Sequence, residues 1–177
     1  DGGIAFSLDG TRLLAVSALH DAVVEHDARS GAALHSFNGV CGLLPSDATY
    51  GPDGAIYVAC FGGNGVTRID HGTGASGAFV LGGSGGLVNP RTLAFGPNGN
   101  LFVSSASGAI LEYHGVTGAL VGSFVDESGN GGGPLDPYGL RFHSGVLYVA
   151  SFFPSEVRAL DASSGAFLST LVPSGAG

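Results

Sequence analysis

The residues best suited to chemistry in this 177-residue chain are oxygen and nitrogen donors set among glycines. Asp126-Glu127-Ser128-Gly129-Asn130-Gly131 puts oxygen donors at alternate positions and closes on a glycine, the opening pattern of a loop that wraps a hard cation such as Ca2+. Asp126, Ser128 and Asn130 are the candidate ligands, and Asp136 can return as a fourth. The bidentate Glu expected at the twelfth place of such a loop is Pro137, so a solvated, acidic, glycine-rich linker is the alternative reading. Six histidines are present, and none falls into an H-x-x-x-H or H-E-x-x-H pattern that would set two imidazoles on one helix face for zinc. His20, followed by Asp21, is the one candidate for a catalytic base. Cys41 and Cys60 are the only cysteines.

These residues need elements to position them, and the elements repeat. Four tight-turn signals, Leu8-Asp9-Gly10, Pro52-Asp53-Gly54, Pro97-Asn98-Gly99 and His143-Ser144-Gly145, bring their glycines 44, 45 and 46 residues apart. A second marker, Ser30-Gly31, Thr73-Gly74, Thr117-Gly118 and Ser164-Gly165, recurs at 43, 44 and 47 residues. Two independent markers with one period define a repeat. Each repeat carries four short runs rich in Val, Ile, Phe and Tyr. The first runs are 3–6, 48–50, 92–95 and 139–142; the second, 13–17, 56–60, 101–105 and 147–151; the third, 23–27, 66–70, 110–114 and 157–161; the fourth, 33–37, 77–81, 119–125 and 166–172. Runs of this length between Asp-Gly, Asn-Gly and Ser-Gly turns predict antiparallel hairpins, and helical spacing is absent. Four strands in about 40–45 residues is the signature of a β-propeller blade. The expected fold is therefore an all-β propeller of four-stranded antiparallel blades, with boundaries near 1–46, 47–90, 91–137 and 138–177. One such sheet cannot bury both faces by itself. Phe6, Tyr50, Phe95, Phe142, Tyr57, Phe102 and Tyr148 are thus expected to fill the core between neighbouring blades.

At Asn89-Pro90-Arg91, then Phe95-Gly96-Pro97-Asn98-Gly99-Asn100-Leu101-Phe102-Val103, the chain resembles a blade of the NHL-repeat type, within the wider superfamily of virginiamycin lyase-like and gluconolactonase-like propellers. Asp136-Pro137-Tyr138-Gly139-Leu140 and Gly145-Val146-Leu147-Tyr148-Val149-Ala150-Ser151 repeat the phrase, and Asn64-Gly65-Val66-Thr67-Arg68 echoes another part of it. The resemblance implies either a scaffold for a binding surface or, in the lyase and lactonase branches, an enzyme whose base and metal face the central channel.

Strand alternation sorts the loops. The linker between blades and the loop between second and third strands share one face, and this face carries the longer loops, where binding on a rigid scaffold usually sits. Cys41 in a linker and Cys60 at the end of a second strand fall on that face, which predicts a disulfide closing a loop of about 20 residues, with two buried thiols as the alternative. A disulfide implies an oxidising compartment and so a secreted or cell-surface protein. His20 and Asp21 lie on the same face. His26, His71 and His114 lie at the ends of third strands on the opposite face and read as surface or turn residues.

Composition narrows the function. With 44% hydrophobic and only 11% charged residues the chain is globular, not disordered. The net charge is −8, and the six basic residues are dispersed arginines, so no concentrated positive patch exists for nucleic acid or anionic lipid. The longest apolar run, Ala55 to Phe61, is far short of the roughly 20 residues that cross a bilayer as a helix. The two ends, Asp1-Gly2-Gly3-Ile4 and Leu171 to Gly177, both resemble blade-to-blade linkers. They predict four successive blades of a six- or seven-bladed ring, a closed four-bladed ring being the alternative. The expected role is a non-catalytic interaction or structural module binding a protein or glycan partner, or other copies of itself, through the loop-rich face. A metal-dependent lyase or lactonase-type enzyme is the alternative.

Overall fold

The computed structural model describes residues 3–175 as sixteen β-strands in four antiparallel four-stranded sheets. The terminal residues of both linker-like ends lie outside the described residues. The first sheet is β1 (Ile4–Phe6), β2 (Arg12–Ser17), β3 (Ala22–Asp27) and β4 (Ala33–Asn38). The second is β5 (Pro45–Tyr50), β6 (Ile56–Cys60), β7 (Gly65–Ile69) and β8 (Ser76–Val80). The third is β9 (Leu93–Phe95), β10 (Leu101–Ser104), β11 (Ile110–Tyr113) and β12 (Leu120–Val125). The fourth is β13 (Pro137–His143), β14 (Val146–Ser151), β15 (Glu156–Asp161) and β16 (Phe167–Val172). In every sheet the strands lie in sequence order, each hydrogen-bonded to the next, which is the up-and-down meander of a propeller blade.

The repeat markers have a structural cause. Gly10, Gly54, Gly99 and Gly145 all adopt φ between +71° and +78°, and Gly31, Gly74, Gly118 and Gly165 between +70° and +73°. Left-handed backbone of this kind excludes most side chains, so both turns demand glycine once per sheet. The turn between third and fourth strands is further held by the residue that precedes it. Asp27 Oδ1 accepts from the Ser30 amide at 2.7 Å, Asp70 Oδ1 from the Thr73 amide at 2.8 Å, and Asp161 Oδ1 from the Ser164 amide at 2.9 Å. In the third sheet His114 Nδ1 takes the same place, accepting from Thr117. These Asx-type bonds hold the turn without help from the core.

The chain forms two compact units, residues 1–84 and 85–177, each containing two sheets packed face to face. Strand alternation decides what each packs. In the first unit Leu14, Val23, Ala48, Ile56, Val58 and Ile69 form the core between the sheets, with Phe37 and Tyr50 half-buried against it. In the second, Phe102, Ile110, Val125, Leu140, Leu147 and Leu160 do so, with Phe124, Phe142 and Phe167 packed alongside. Phe102 meets Phe124 and Phe142 at centroid distances of 4.7 and 4.9 Å, within the range of favourable ring pairs.

Tyr57 and Phe102 are buried as expected, but Phe6 is exposed. The register explains this. Ala5 pairs with the fully buried Leu14, on the face that meets the second sheet, whereas Phe6 pairs with Leu13 and stands with Ile4 on the other face of β1, which no strand of its unit covers.

Candidate functional site

The densest cluster of chemically capable side chains lies between the two sheets of the first unit and is centred on Glu25. Alternation along β3 sends Glu25 to the same face as Val23, toward the second sheet, and the residue is completely buried. A bare carboxylate there would be costly, so its oxygens must be paired. Oε1 accepts from the Tyr50 hydroxyl at 2.6 Å and lies 2.9 Å from His71 Nε2. Oε2 accepts from Arg12 Nη1 at 3.1 Å and lies 2.8 Å from His35 Nδ1. Each partner has its own element. Arg12 opens β2, and His35 sits directly opposite Glu25 in the β3–β4 register. Tyr50 ends β5, and His71 begins the turn after β7. Burial pulls the Glu25 carboxyl up, but the bonds from Tyr50, His35 and His71 outweigh it and hold the group at about 2. Burial, and then donation to Glu25, push the Tyr50 hydroxyl well above its ordinary value.

Sequence reading did not bring these residues together, and it placed His71 among surface or turn histidines. His71 does lie in a turn, but its side chain is half-buried there, its ring 5.9 Å from His35 and 6.5 Å from Tyr50, because that turn lies against the first sheet. One sequence signal pointed to the site: a glutamate two residues from Val23, on the inward face of an apolar strand.

The residues singled out from sequence are placed as follows. Cys41 and Cys60 form a disulfide that ties the linker before β5 to the end of β6, as strand alternation requires. His20 ends a short 3₁₀ turn after β2, its Nδ1 2.9 Å from Ser17 Oγ. Asp21, at φ 47°, uses its carboxylate to accept the Cys41 amide at 3.0 Å, so it braces the disulfide-bearing linker. Asp126 Oδ1 accepts from the Ser128 amide and hydroxyl and from the Asn130 amide, while Asn130 donates to the carbonyls of Phe124 and Gly165. Asp136 is ion-paired with Arg91. The four oxygen donors of this segment are thus engaged in closing the loop and anchoring it to its unit.

A second feature lies on the loop-rich face of the second unit. Tyr138, at the start of β13, and Phe152 and Phe153, in the β14–β15 loop, are 49%, 58% and 68% exposed. Their rings form a run, with centroids 5.2 Å apart for Tyr138 and Phe152 and 5.3 Å for Phe152 and Phe153. The Arg91 guanidinium lies 4.0 Å from the Tyr138 ring centre, within cation–π range.

No protein-family model matches the sequence, and no curated protein does. Solved structures do match in fold. The chain is similar to a hydrazine synthase chain from Kuenenia stuttgartiensis with a TM-score of 0.74 and 18% identity, over 97% of this chain and 49% of that one. It is similar to a catalytically inactive virginiamycin B lyase from Staphylococcus aureus, solved with quinupristin, with a TM-score of 0.70 and 17% identity, over 91% of this chain and 52% of that one. A Bacteroides caccae protein of unknown function gives a TM-score of 0.79 and 16% identity, over 99% of this chain and 68% of that one. The chain therefore spans about half the length of the hydrazine synthase and lyase chains it matches. Together with the four in-order antiparallel sheets, these likenesses establish the fold as a β-propeller.

Proposed function

We propose that the chain is a non-catalytic β-propeller interaction module that binds a protein partner through its loop-rich face. The observation that carries this reading is the run of exposed rings Tyr138, Phe152 and Phe153 beside Arg91. Aromatic residues and arginine are the types enriched at the centres of protein interfaces, where they supply most of the binding energy. Three adjacent exposed rings have no role in the core of their own sheet. The loop that carries Phe152 and Phe153 is tied to the segment before β13: Ser151 Oγ accepts from the Asp136 amide at 2.9 Å, and Phe152 donates its amide to the Asp136 carbonyl. An extracellular or secreted location fits the disulfide, and among the described residues no helix is long and apolar enough to cross a membrane. The NHL-type reading of the blades, and a ring of six or seven blades in the whole protein, belong to the same proposal. The first is supported by the repeat phrases, and the second by the greater length of the matched chains.

The test compares wild type with a Phe152→Ser/Phe153→Ser variant, both exposed positions, for binding to purified candidate proteins, to a glycan array and to itself by sedimentation. Protein binding that the variant loses supports the reading. Glycan binding that it loses makes the occupant a glycan, and self-association that it loses makes it a second copy. Binding that survives the double substitution overturns the assignment of the face.

The second reading is a metal-dependent enzyme of the lyase type, favoured by the likeness to virginiamycin B lyase. Metal-dependent turnover by the full-length protein, lost on His20→Ala, would establish it. In that reading a Ca2+ at Asp126, Ser128, Asn130 and Asp136 is a separate, structural matter. It requires the melting temperature to fall on chelation.

A further inference from the structure

We propose that Glu25, His35 and His71 form a divalent-cation site that takes Zn2+ or a similar borderline transition metal. Their ligand atoms, Glu25 carboxylate oxygen, His35 Nδ1 and His71 Nε2, all lie within 4.8 Å of one another. Two imidazoles and one carboxylate are the donor types that such ions select over Ca2+ and Mg2+, which prefer oxygen throughout. The carboxylate is the buried anchor, fixed by the Tyr50 hydroxyl, and the two imidazoles reach it from β4 and from the turn after β7. A ligating carboxylate that is itself hydrogen-bonded is the arrangement that orients metal ligands.

The hydrogen bonding at His71 points the same way. Nε2 lies 2.9 Å from Glu25 Oε1 and 2.8 Å from Arg12 Nη1. One ring nitrogen cannot satisfy both. If it donates to the carboxylate, its hydrogen meets an Arg12 donor; if it accepts from Arg12, its lone pair faces a carboxylate oxygen. A cation that receives lone pairs from both Nε2 and the carboxylate removes the conflict, and the Arg12 guanidinium is the cation there now. Arg12 is 38% exposed in its side chain and reaches the cluster from the outside, so it can withdraw into solvent when a metal enters. Clefts of about 330 Å³ lie on both sides of His71, one lined by Arg12, Tyr50 and Asp9 and the other by His35, Phe37 and Thr73. They give an ion access and leave room for water to complete its coordination. Because the ligands come from β3, β4 and the turn after β7, the ion would staple the two sheets of the first unit.

The test uses the whole chain with Co2+ as the spectroscopic probe and Zn2+ in competition. Wild type is expected to bind one Co2+ with a visible d–d band that Zn2+ abolishes, and Zn2+ is expected to raise the melting temperature in a concentration-dependent way. His35→Ala, at an exposed position that does not threaten folding, should weaken Co2+ binding at least about 10-fold, as should His71→Ala. Arg12→Gln should tighten it about 5-fold, because the cation that competes with the metal for His71 and Glu25 is removed. His143→Ala, at an exposed position, is the control expected to leave binding unchanged. Absence of the band in wild type, or equal binding by wild type and a His35→Ala/His71→Ala variant, overturns the proposal, as does weaker binding in Arg12→Gln.

Discussion

Glu25→Gln isolates the charge of the buried carboxylate while keeping its shape. In the folded chain this carboxylate receives Tyr50 at 2.6 Å, His35 at 2.8 Å, His71 at 2.9 Å and Arg12 at 3.1 Å. A hydrogen bond to a charged group contributes about 1.5–3 kcal/mol, but an exposed ion pair contributes only about 0–1 kcal/mol. Arg12 and His35 are substantially exposed and belong to the second class. The half-buried Tyr50 and His71 belong nearer the first. Glutamine retains one acceptor oxygen and turns an NH2 toward donors that can no longer be satisfied. These contributions do not add fully, since all four partners share one group. A loss of about 3 kcal/mol follows, which moves a urea midpoint by about 1–3 M. Hydrogen exchange of residues 22–38 localises the effect to β3 and β4. The control is Glu112→Gln, at the matching strand position of the third sheet. Among the described residues Glu112 accepts from Asn98 and Asn100, and it is partly exposed, so water replaces much of what is lost and the expected loss is about 1 kcal/mol. If Glu25→Gln costs no more than Glu112→Gln, the carboxylate is not the hub that joins the two sheets and the reasoning fails.

Replacing both cysteines by serine should cost about 3 kcal/mol in a urea melt, the chain entropy released by opening a loop of 19 residues, and the same loss should follow reduction of the wild type. Gly115→Ala should destabilise by about 1–3 kcal/mol in the same assay, because a Cβ there would sit 1.8 Å from the Gly99 carbonyl oxygen. Gly77→Ala, where nothing lies within 4 Å, should instead be neutral or gain about 0.5 kcal/mol; a loss there equal to that of Gly115→Ala would refute the steric account. Asp9 and Asp161 are both held at about 2, first by side-chain bonds from Ser7 and from Ser163 and Ser164. A carboxyl lowered in the folded state stabilises above its unfolded value of about 3.9, and that contribution is lost as pH falls through the folded value. The melting temperature should therefore hold from pH 7 to about 4.5 and decline toward pH 2, with a shallower decline in Asp161→Asn.

The strands were legible because each is a short apolar run closed by a turn that only glycine satisfies. The observed strands differ from the expected runs mainly by end residues, as Arg12 and Asn38 extending β2 and β4 show. The disulfide was legible for a related reason: strand direction alone puts Cys41 and Cys60 at one end of their sheet. Phe6 was misplaced because an alternating pattern tells which residues share a face but not whether a sheet lies over it. The Glu25 cluster was hidden by distance. Its partners lie 10, 13, 25 and 46 residues away, and two of them come from the neighbouring sheet, whose packing no local pattern encodes. The Asp126 segment carries residue types that serve two ends. Asp, Ser and Asn at alternate positions are the residues of a cation loop and also of an Asx turn, and the pattern alone does not separate the two.

The same position in the third strand shows how one fold carries different chemistry. The position holds Glu25, Arg68, Glu112 and Ala159, and the residue across from it in the second strand is Leu14, Tyr57, Phe102 and Tyr148. Where the opposite residue is aromatic and the position is charged, the charge is answered from within its own sheet. Arg68 bonds Asp53 at 2.8 Å and lies 3.3 Å from the Tyr57 hydroxyl, and Glu112 takes Asn98 and Asn100 from the β9–β10 turn. Only the first sheet sets an aliphatic residue there. There Arg12 and His35 come from the carboxylate's own sheet, and Tyr50 and His71 come from the next one. The strongest candidate for cation binding therefore lies between two sheets and not on the loop-rich face, at the one such position whose charge is answered from both.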